Sequence, residues 1–183
     1  NLRIIPFRGE FFSLKPNRSN LINGLIYPLP KPNLPFLGVH FTKKLNGSVE
    51  AGPNAVLAFA KEGYKKTCVS PLDMANILTF MGFWKMSVAH WKTGIHELYR
   101  SQYKRAFVRS LQTLVPELRG HDLGERSAGV RAQAVGKNGQ LLQDFCIKRD
   151  EQSIHVLNAP SPAATSCLAI SKYISTTARE TFE

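Results

Sequence analysis

The sequence predicts an α+β fold in which a mixed, largely antiparallel sheet is flanked by helices. Short strand-like runs come first, apolar residues recur at helical spacing through the middle, and strand-like runs return before a final helix. Strands and helices segregated in this way do not build the alternating units of a parallel sheet. With 183 residues and 43% apolar content, the chain can bury one compact core and carry a small appendage.

Four runs in the first part of the chain are rich in β-branched and aromatic residues and are bounded by Pro, Gly and Asn, which predicts strands. They are Ile4–Leu14, Asn20–Leu29, Phe36–Thr42 and Ser48–Gly52. Asn46-Gly47 favours a type I′ hairpin turn before the last run, because that turn needs positive φ at both central residues. The proline-rich segment 28–35 is interpreted as a loop.

Three helical stripes are predicted next. Ser70-Pro71-Leu72-Asp73 supplies an N-cap, a proline at the first helical position and an acid in the first turn. The apolar positions that follow are interpreted as core-facing rather than as cofactor contacts. The stripes are Met74, Ile77, Leu78 and Met81, ended by Gly82; Trp84, Val88, Trp91, Ile95 and Leu98; and Ala106, Phe107, Ser110, Leu111 and Leu114, ended by Pro116.

The last part of the chain is predicted to return to strands and to end in a helix that begins near Ser161-Pro162. The strands are Gly129–Val135, Leu141–Ile147 and Ile154–Leu157, with a hairpin turn at Asn138-Gly139. Small residues and two prolines in 158–166 permit close approach of a planar ligand, and a helix start favours negative charge. Taken alone, Ser-Pro at this position is a helix cap.

The net charge of +11 suits an anionic partner. Basic residues are densest between Lys85 and Arg109. This stretch can be a solvated helix face, or it can bind an anionic membrane or protein surface. Binding of nucleic acid is the least favoured interpretation, since no binding motif accompanies the charge. Three scattered cysteines without a CxxC pair argue against disulfides or a metal site. Without a bilayer-spanning run or signal peptide, we expect a cytoplasmic protein, soluble or peripheral on the inner face of a membrane.

Individual strand residues are candidates for chemistry. The period of two places His40 on the opposite face from Val39 and Phe41, as either a hydrogen-bonded core residue or a catalytic one. Arg131 lies in an apolar strand, where a guanidinium needs an anion because burying it unpaired is costly. That anion can be an internal Asp or Glu, or a substrate carboxylate. Arg8-Gly9-Glu10 is interpreted as a surface ion pair.

Five segments together resemble the L-2-hydroxyglutarate oxidase/dehydrogenase family of D-amino-acid-oxidase-like flavoproteins, over about residues 4–175. They are Tyr27-Pro28-x-Pro30, Pro35-Phe36-Leu37-Gly38-Val39-His40-Phe41-Thr42, Gly52-Pro53-Asn54-Ala55-Val56-Leu57-Ala58-Phe59, Gly129-Val130-Arg131-Ala132-Gln133 and Asn158-Ala159-Pro160-Ser161-Pro162-Ala163-Ala164-Thr165.

The resemblance implies FAD-dependent oxidation of L-2-hydroxyglutarate, a small dicarboxylate, to 2-oxoglutarate. It implies that Arg131 holds a substrate carboxylate. It also implies that the turn before the last helix lies beside the flavin, through Asn158, Ala159, Pro160, Ser161 and Thr165. A neutral imidazole suits removal of the alcohol proton, which makes His40 the candidate base. Tyr27 and Asn54 are candidate substrate contacts, and no metal is expected.

On the same resemblance, residues 1–155 are expected to form a substrate-binding domain, and residues 156–183 a strand–helix segment of an FAD-binding domain. Because the chain begins at Asn1 and lacks Gly-x-Gly-x-x-Gly, we expect a C-terminal fragment that alone binds FAD weakly or not at all and is inactive. The basic helix could contact a membrane, as suits electron transfer to a quinone, although oxygen remains an alternative acceptor. Alternative functions are a glycine- or sarcosine-type amine oxidase and a non-enzymatic basic module.

Overall fold

A computed structural model describes residues 2–29, 38–160 and 162–182, and its main element is a six-stranded sheet built around β1 (Leu2–Leu14). On one side, β1 pairs with β6 (Leu123–Gly136) along nearly its whole length. On the other side it pairs with β5 (Val56–Leu57) and then β4 (Val49–Gly52), beyond which lie β3 (His40–Lys43) and β2 (Leu25–Ile26). All these pairings are antiparallel, which confirms the predicted fold class.

Four helices connect β5 to β6, and a hairpin and a helix follow the sheet. The helices are α1 (Pro71–Leu78), α2 (Met81–Ala89), α3 (Trp91–Gln102) and α4 (Lys104–Gln112), and 3₁₀ turns cover Pro16–Leu21 and Gly120–Asp122. The hairpin of β7 (Cys146–Asp150) and β8 (Ser153–Asn158) precedes α5 (Cys167–Phe182). The predicted domain boundary at 155/156 falls inside β8.

The two faces of the sheet carry separate apolar cores. On one face, Phe107 of α4 packs edge-on against Phe12 of β1, with ring centroids 5.1 Å apart, in a cluster that also buries Phe41 and Leu111. On the other face, α1 and α2 pack against Ile5 and the end of β6. Phe107 and Leu111 are at most 1% exposed, so the third predicted stripe is confirmed as a core-facing helix.

The second predicted stripe is wrong as a single core-facing helix. The chain breaks at His90, between α2 and α3. The stripe residues Trp84, Val88, Trp91, Ile95 and Leu98 are 49–74% exposed. Gly82 does not end a helix either, because it lies inside α2, where a Cβ would collide with the Gly136 carbonyl of β6. The apolar periodicity therefore predicted a helical face, but it did not predict which element of the fold, if any, packs against that face.

Three strand and turn predictions also differ from the structure. The run Asn20–Leu29 contains only the short β2, and the run after Asn138-Gly139 forms one bridge, Val135 to Leu141, before β7 begins. Within the two Asn-Gly turns, the glycine has positive φ, +81° at Gly47 and +87° at Gly139, but the asparagine does not, so neither turn is type I′. The final helix begins at Cys167, later than predicted. Phe36 and Leu37 of the third predicted strand lie outside the described residues.

The predicted cap of α1 is confirmed, and it gives a stability prediction. The Ser70 hydroxyl accepts a hydrogen bond from the Asp73 backbone N–H at 3.3 Å, with Pro71 in the first helical turn. Ser70→Ala leaves that donor unsatisfied and should lower the free energy of unfolding by about 1 kcal/mol. Thermal unfolding, with Ser171→Ala inside α5 as the matched control, checks this. An equal loss in both variants would contradict a capping role.

Candidate active site

His40 and Arg131 lie on the same face of the sheet. Phe41 pairs with Ala51 and Ala51 with Phe12, so these side chains share the face covered by α4, and His40 points to the opposite face. Phe7, five residues before Phe12 on β1, also points to that opposite face, and its register partner on β6 is Arg131. Two residues distant in sequence are thereby brought to one surface.

The imidazole of His40 is held in one orientation by two contacts. Its ring stacks on Tyr27, with centroids 4.2 Å apart and planes inclined by 20°. Its Nδ1 lies 3.2 Å from the Gly38 carbonyl oxygen. Because a carbonyl can only accept, Nδ1 carries the proton in this hydrogen bond, and in the neutral ring Nε2 keeps its lone pair. The structure thus presents Nε2 of His40 as a proton acceptor.

The surroundings of His40 favour its neutral form. Burial lowers its pKa below the usual 6.5, the bond to Gly38 opposes this, and the positive charge of Arg131 lowers the pKa further. The net direction is downward, so the ring is neutral at physiological pH. This combination meets the requirement for a general base.

Arg131 is accessible from outside the sheet. The residue is exposed, which overturns the expectation of a guanidinium enclosed in an apolar strand. Its immediate surroundings are still crowded enough that desolvation lowers the pKa of the guanidinium. An arginine pKa starts so high that the group keeps its charge at physiological pH. An anion arriving at this face therefore meets a permanent cation on the same sheet face as a neutral imidazole.

A cavity of about 760 Å³ is lined by neighbours of these residues, although His40 and Arg131 are not themselves in its lining. One wall comes from the sheet and includes Phe7 and Leu57, and Pro28 and Gly38 extend it next to Tyr27 and His40. The opposite wall comes from the α2–α3 junction and includes Met86 and His90. The cavity lies within the roughly 300–1,000 Å³ range of small-molecule sites, and most of its lining is apolar.

A buried charge network lies beneath the site. Glu10 of β1 is 2% exposed, and its Oε1 lies 3.3 Å from Arg8 Nε and 3.8 Å from Lys66 Nζ. Its other carboxylate oxygen, Oε2, forms an ion pair with Arg126. Burial raises the pKa of Glu10, but hydrogen bonds with Ser101 and Asn54 and the charges of Arg126 and Lys66 outweigh it and lower the pKa. The predicted surface ion pair of Arg8 and Glu10 is therefore wrong, because both residues are buried.

Asn54 belongs to this network. Its Nδ2 donates to Glu10 Oε2 and its Oδ1 accepts from the Glu10 backbone N–H, both at 2.8 Å. Pro53 is pressed against Gly9, where a Cβ would lie 2.9 Å from the proline Cβ. Asn54 is 2% exposed and lines the cavity, so its observed contacts position the cavity wall. Its contact with a substrate stays a prediction.

The segment predicted to bind a cofactor forms a run of turns before α5. The Asn158 Nδ2 donates to the Asp144 carbonyl at 2.7 Å and thereby fixes the end of β8, and the Thr165 hydroxyl donates to the Pro162 carbonyl at 3.1 Å. Ala159 is exposed and Pro160 half-buried, while Ser161 lies outside the described residues. The roles of these residues in cofactor binding stay predictions.

Two parts of the site were missed at the sequence level. The α2–α3 wall was taken for core, and the partners of Glu10 come from three separate regions of the chain. The sequence has 13 acidic and 24 basic residues, and this imbalance was the available signal that one carboxylate could form ion pairs with several cations. In the described ranges, no group of His, Cys, Asp and Glu is placed to hold a metal, and no helix is long and apolar enough to cross a membrane.

Curated relatives match nearly the whole chain. An L-2-hydroxyglutarate dehydrogenase of Indibacter alkaliphilus is 56% identical over 170 residues, which are 93% of this chain and 43% of the relative. A mitochondrial L-2-hydroxyglutarate dehydrogenase of Caenorhabditis elegans is 46% identical over 99% of this chain and 43% of its own length, and one of Escherichia coli K12 is 46% identical over 93% and 40%. No protein-family model matches. The chain thus spans about two fifths of these relatives.

Proposed function

Since the chain belongs to the L-2-hydroxyglutarate dehydrogenase family over the part of those proteins that it spans, we propose that it forms the substrate-binding part of an FAD-dependent enzyme that oxidises L-2-hydroxyglutarate to 2-oxoglutarate. The observation that carries the proposal is that Arg131 and His40, whose ring stacks on Tyr27, lie on one sheet face, and that Phe7, Pro28 and Gly38, their register or sequence neighbours, line the cavity. A cation to hold the acid and a neutral base to take the alcohol proton are what this oxidation needs.

In this proposal, Arg131 binds the carboxylate next to the reacting carbon. The guanidinium offers two parallel donors to a carboxylate. The hydroxyl of a 2-hydroxy acid is on the adjacent carbon, and in this proposal it faces His40, which lies on the same sheet face as Arg131. The apolar cavity lining receives the methylene groups of the dicarboxylate, and the chain's net charge of +11 favours approach of such a dianion.

His40 acts as the base. Its Nε2 accepts the hydroxyl proton as the C–H bond at C2 breaks, while the Gly38 carbonyl and the Tyr27 ring hold the imidazole in place. The protonated ring then stands near the cationic Arg131, so repulsion favours release of the proton to water after the reaction.

FAD, when bound, would supply the acceptor for the hydride from C2. The observation that fits such a planar group is the open sheet face at Gly129, where a Cβ would meet no atom within 4 Å. Asn158, Ala159, Pro160, Ser161 and Thr165 are the residues proposed to hold it.

The proposal includes a quinone as final acceptor and cytoplasmic location with peripheral membrane contact. The described chain would be the substrate domain (1–155) and a segment of the FAD domain (156–183).

The test is an anaerobic titration of the full-length protein with L-2-hydroxyglutarate, followed by its visible spectrum. The proposal expects flavin absorption bands that bleach on addition of the substrate. Bands that persist with L-2-hydroxyglutarate but bleach with glycine or sarcosine would move the assignment to amine oxidation. A full-length protein without flavin would favour the basic binding module.

Arg131→Met should raise KM for L-2-hydroxyglutarate by about 10- to 100-fold, because one or more charge-assisted hydrogen bonds are lost. Arg131→Lys keeps the charge but not the planar fork, and should recover only part of the affinity. Steady-state kinetics check this, with Arg149→Met as control, since Arg149 is exposed and pairs with Glu180 on α5. An unchanged KM in Arg131→Met would remove this residue from the substrate site.

A further inference from the structure

We propose that Arg100 of α3 binds the second carboxylate of the substrate, the one remote from the reacting carbon, and thereby makes the site selective for dicarboxylic 2-hydroxy acids. The inference rests on the proposed function and adds a residue that determines its specificity. In that function Arg131 holds only the carboxylate next to the hydroxyl. The other carboxylate also needs a partner, because an apolar cavity lining does not accept an unpaired charge.

The first argument is the position of Arg100. It lines the cavity, and its side chain is 11% exposed. Glu97, three residues earlier on α3, accepts a hydrogen bond from the Ala55 backbone N–H at 3.0 Å. Because Ala55 directly precedes β5, this bond fixes α3 at the edge of the sheet that carries the cavity wall.

Arg131 lies on the other side of the same wall. It pairs with Phe7 of β1, which in turn pairs with Leu57 of β5, and both of these apolar residues line the cavity. Neighbouring strands are about 4.8 Å apart, so two strand spacings, roughly 10 Å, separate the backbones of Arg131 and Leu57. The apolar wall thus has a guanidinium beyond each end, which suits a short chain with a carboxylate at each end.

The second argument is an unpaired donor on Arg100. Its Nη2 pairs with Glu97 and its Nη1 lies 3.4 Å from the Ser110 hydroxyl oxygen. Its buried Nε has no hydrogen-bond partner among the residues that the structure describes. Buried polar groups are almost always paired, so an exception on a cavity wall requires an explanation. A substrate carboxylate supplies the missing acceptor once the enclosed Nε turns toward the cavity.

The third argument is the balance of charge. Apart from two histidines, the charged side chains in the described cavity lining are those of Lys92, Glu97 and Arg100, which together carry one net positive charge. Burial lowers the pKa of the Arg100 guanidinium, but an arginine pKa starts so high that the group stays charged at physiological pH. Arg131 adds a second positive charge. Two carboxylates match this surplus, whereas a monocarboxylate neutralises only half of it.

The experiment compares L-2-hydroxyglutarate with L-2-hydroxypentanoate, in which a methyl group replaces the second carboxylate, as substrates of the full-length enzyme. Arg100→Met should lower kcat/KM for the dicarboxylate by about 10- to 100-fold, the usual loss for a hydrogen bond between charged groups. The kcat/KM for L-2-hydroxypentanoate should change by less than about twofold, because that substrate has no group for Arg100 to bind. Arg109→Met, at an exposed position of α4, is the matched control and should change neither value.

Equal losses for the two substrates would overturn the proposal, because Arg100 would then act on the carboxylate that they share or on the fold. Arg100→Met leaves Glu97, whose side chain is 12% exposed, without its cation, and this can destabilise the protein. Arg100→Met/Glu97→Gln removes both charges and keeps an acceptor for the Ala55 N–H. This double variant should show the same selective loss for the dicarboxylate.

A binding measurement without turnover separates this inference from the proposed reaction. Glutarate and pentanoate lack the hydroxyl that is oxidised, and the fluorescence of Trp91, taken as the difference from Trp91→Phe, reports their binding because Trp91 lines the cavity. Glutarate should bind at least about tenfold more tightly than pentanoate, and Arg100→Met/Glu97→Gln should abolish this preference. Equal binding of the two acids, or a preference that survives in the double variant, would overturn the role of Arg100. A preference that depends on Arg100, in a protein that does not oxidise L-2-hydroxyglutarate, would support the carboxylate site and contradict only the proposed reaction.

Discussion

His40→Ala should lower kcat for L-2-hydroxyglutarate oxidation by about 10²- to 10⁴-fold in the full-length enzyme, the usual contribution of a positioned general base. The variant removes the only proton acceptor on its sheet face whose orientation is fixed by both a hydrogen bond and a stacked ring in the described structure. KM should change much less, because Arg131 still holds the carboxylate. Stopped-flow measurement of flavin reduction isolates the affected step.

The pH dependence gives this prediction a second readout. A base must be unprotonated, so kcat/KM should fall only as the pH drops through the His40 pKa. Because burial and Arg131 lower that pKa, the decline should lie below pH 6.5. Removing the Arg131 charge in Arg131→Met should move the decline toward higher pH. His121→Ala is the control, since that ring is 79% exposed. Full activity with an unchanged pH profile in His40→Ala would assign the proton transfer to another group.

The sequence alone could predict the faces of individual strands but not which strands are neighbours. Alternation placed His40 opposite Val39 and Phe41, and the structure agrees because both apolar residues enter the core. That Arg131 shares this face follows only from its pairing with Phe7, which is set by the whole packing of β1 between β6 and β4. The pairing register of strands that are distant in sequence leaves no local signal. The site residues could therefore be named from the sequence, but their arrangement in space could not be predicted.

Packing partners were unpredictable for the same reason. The stripe of α4 and the stripe from Trp84 to Leu98 look alike in sequence, yet one is buried on Phe12 and the other is exposed. Periodicity reports that a helix has an apolar face, whereas the covering element depends on topology. Likewise, the Asn-Gly pairs were correctly predicted to form turns, but the turn type was not. In each turn only the glycine has positive φ, because a turn longer than the two-residue type I′ loop reverses the direction of the chain.

Glu10→Gln should be the most destabilising single change in the charge network, by about 3–5 kcal/mol at neutral pH. The substitution keeps the shape of the side chain but leaves Arg8, 4% exposed, without its carboxylate partner. It also weakens the anchor of Asn54 and so of the cavity wall. Glu50→Gln is the matched control, because its pair with Lys44 is partly exposed and should contribute less than about 1 kcal/mol.

The pH dependence of this loss separates charge from packing. The pKa of Glu10 is lowered from 4.5, so the stability due to its ionised form is fully present above pH 4.5 and is lost as pH falls through the folded-state pKa. The difference in melting temperature between the unmodified protein and Glu10→Gln should therefore be largest near neutral pH and shrink below pH 4.5. A difference that stayed constant across this range would mean that the loss in Glu10→Gln does not come from the ionised form of Glu10, and the charged carboxylate would then not be the group that holds the three cations together beneath the site.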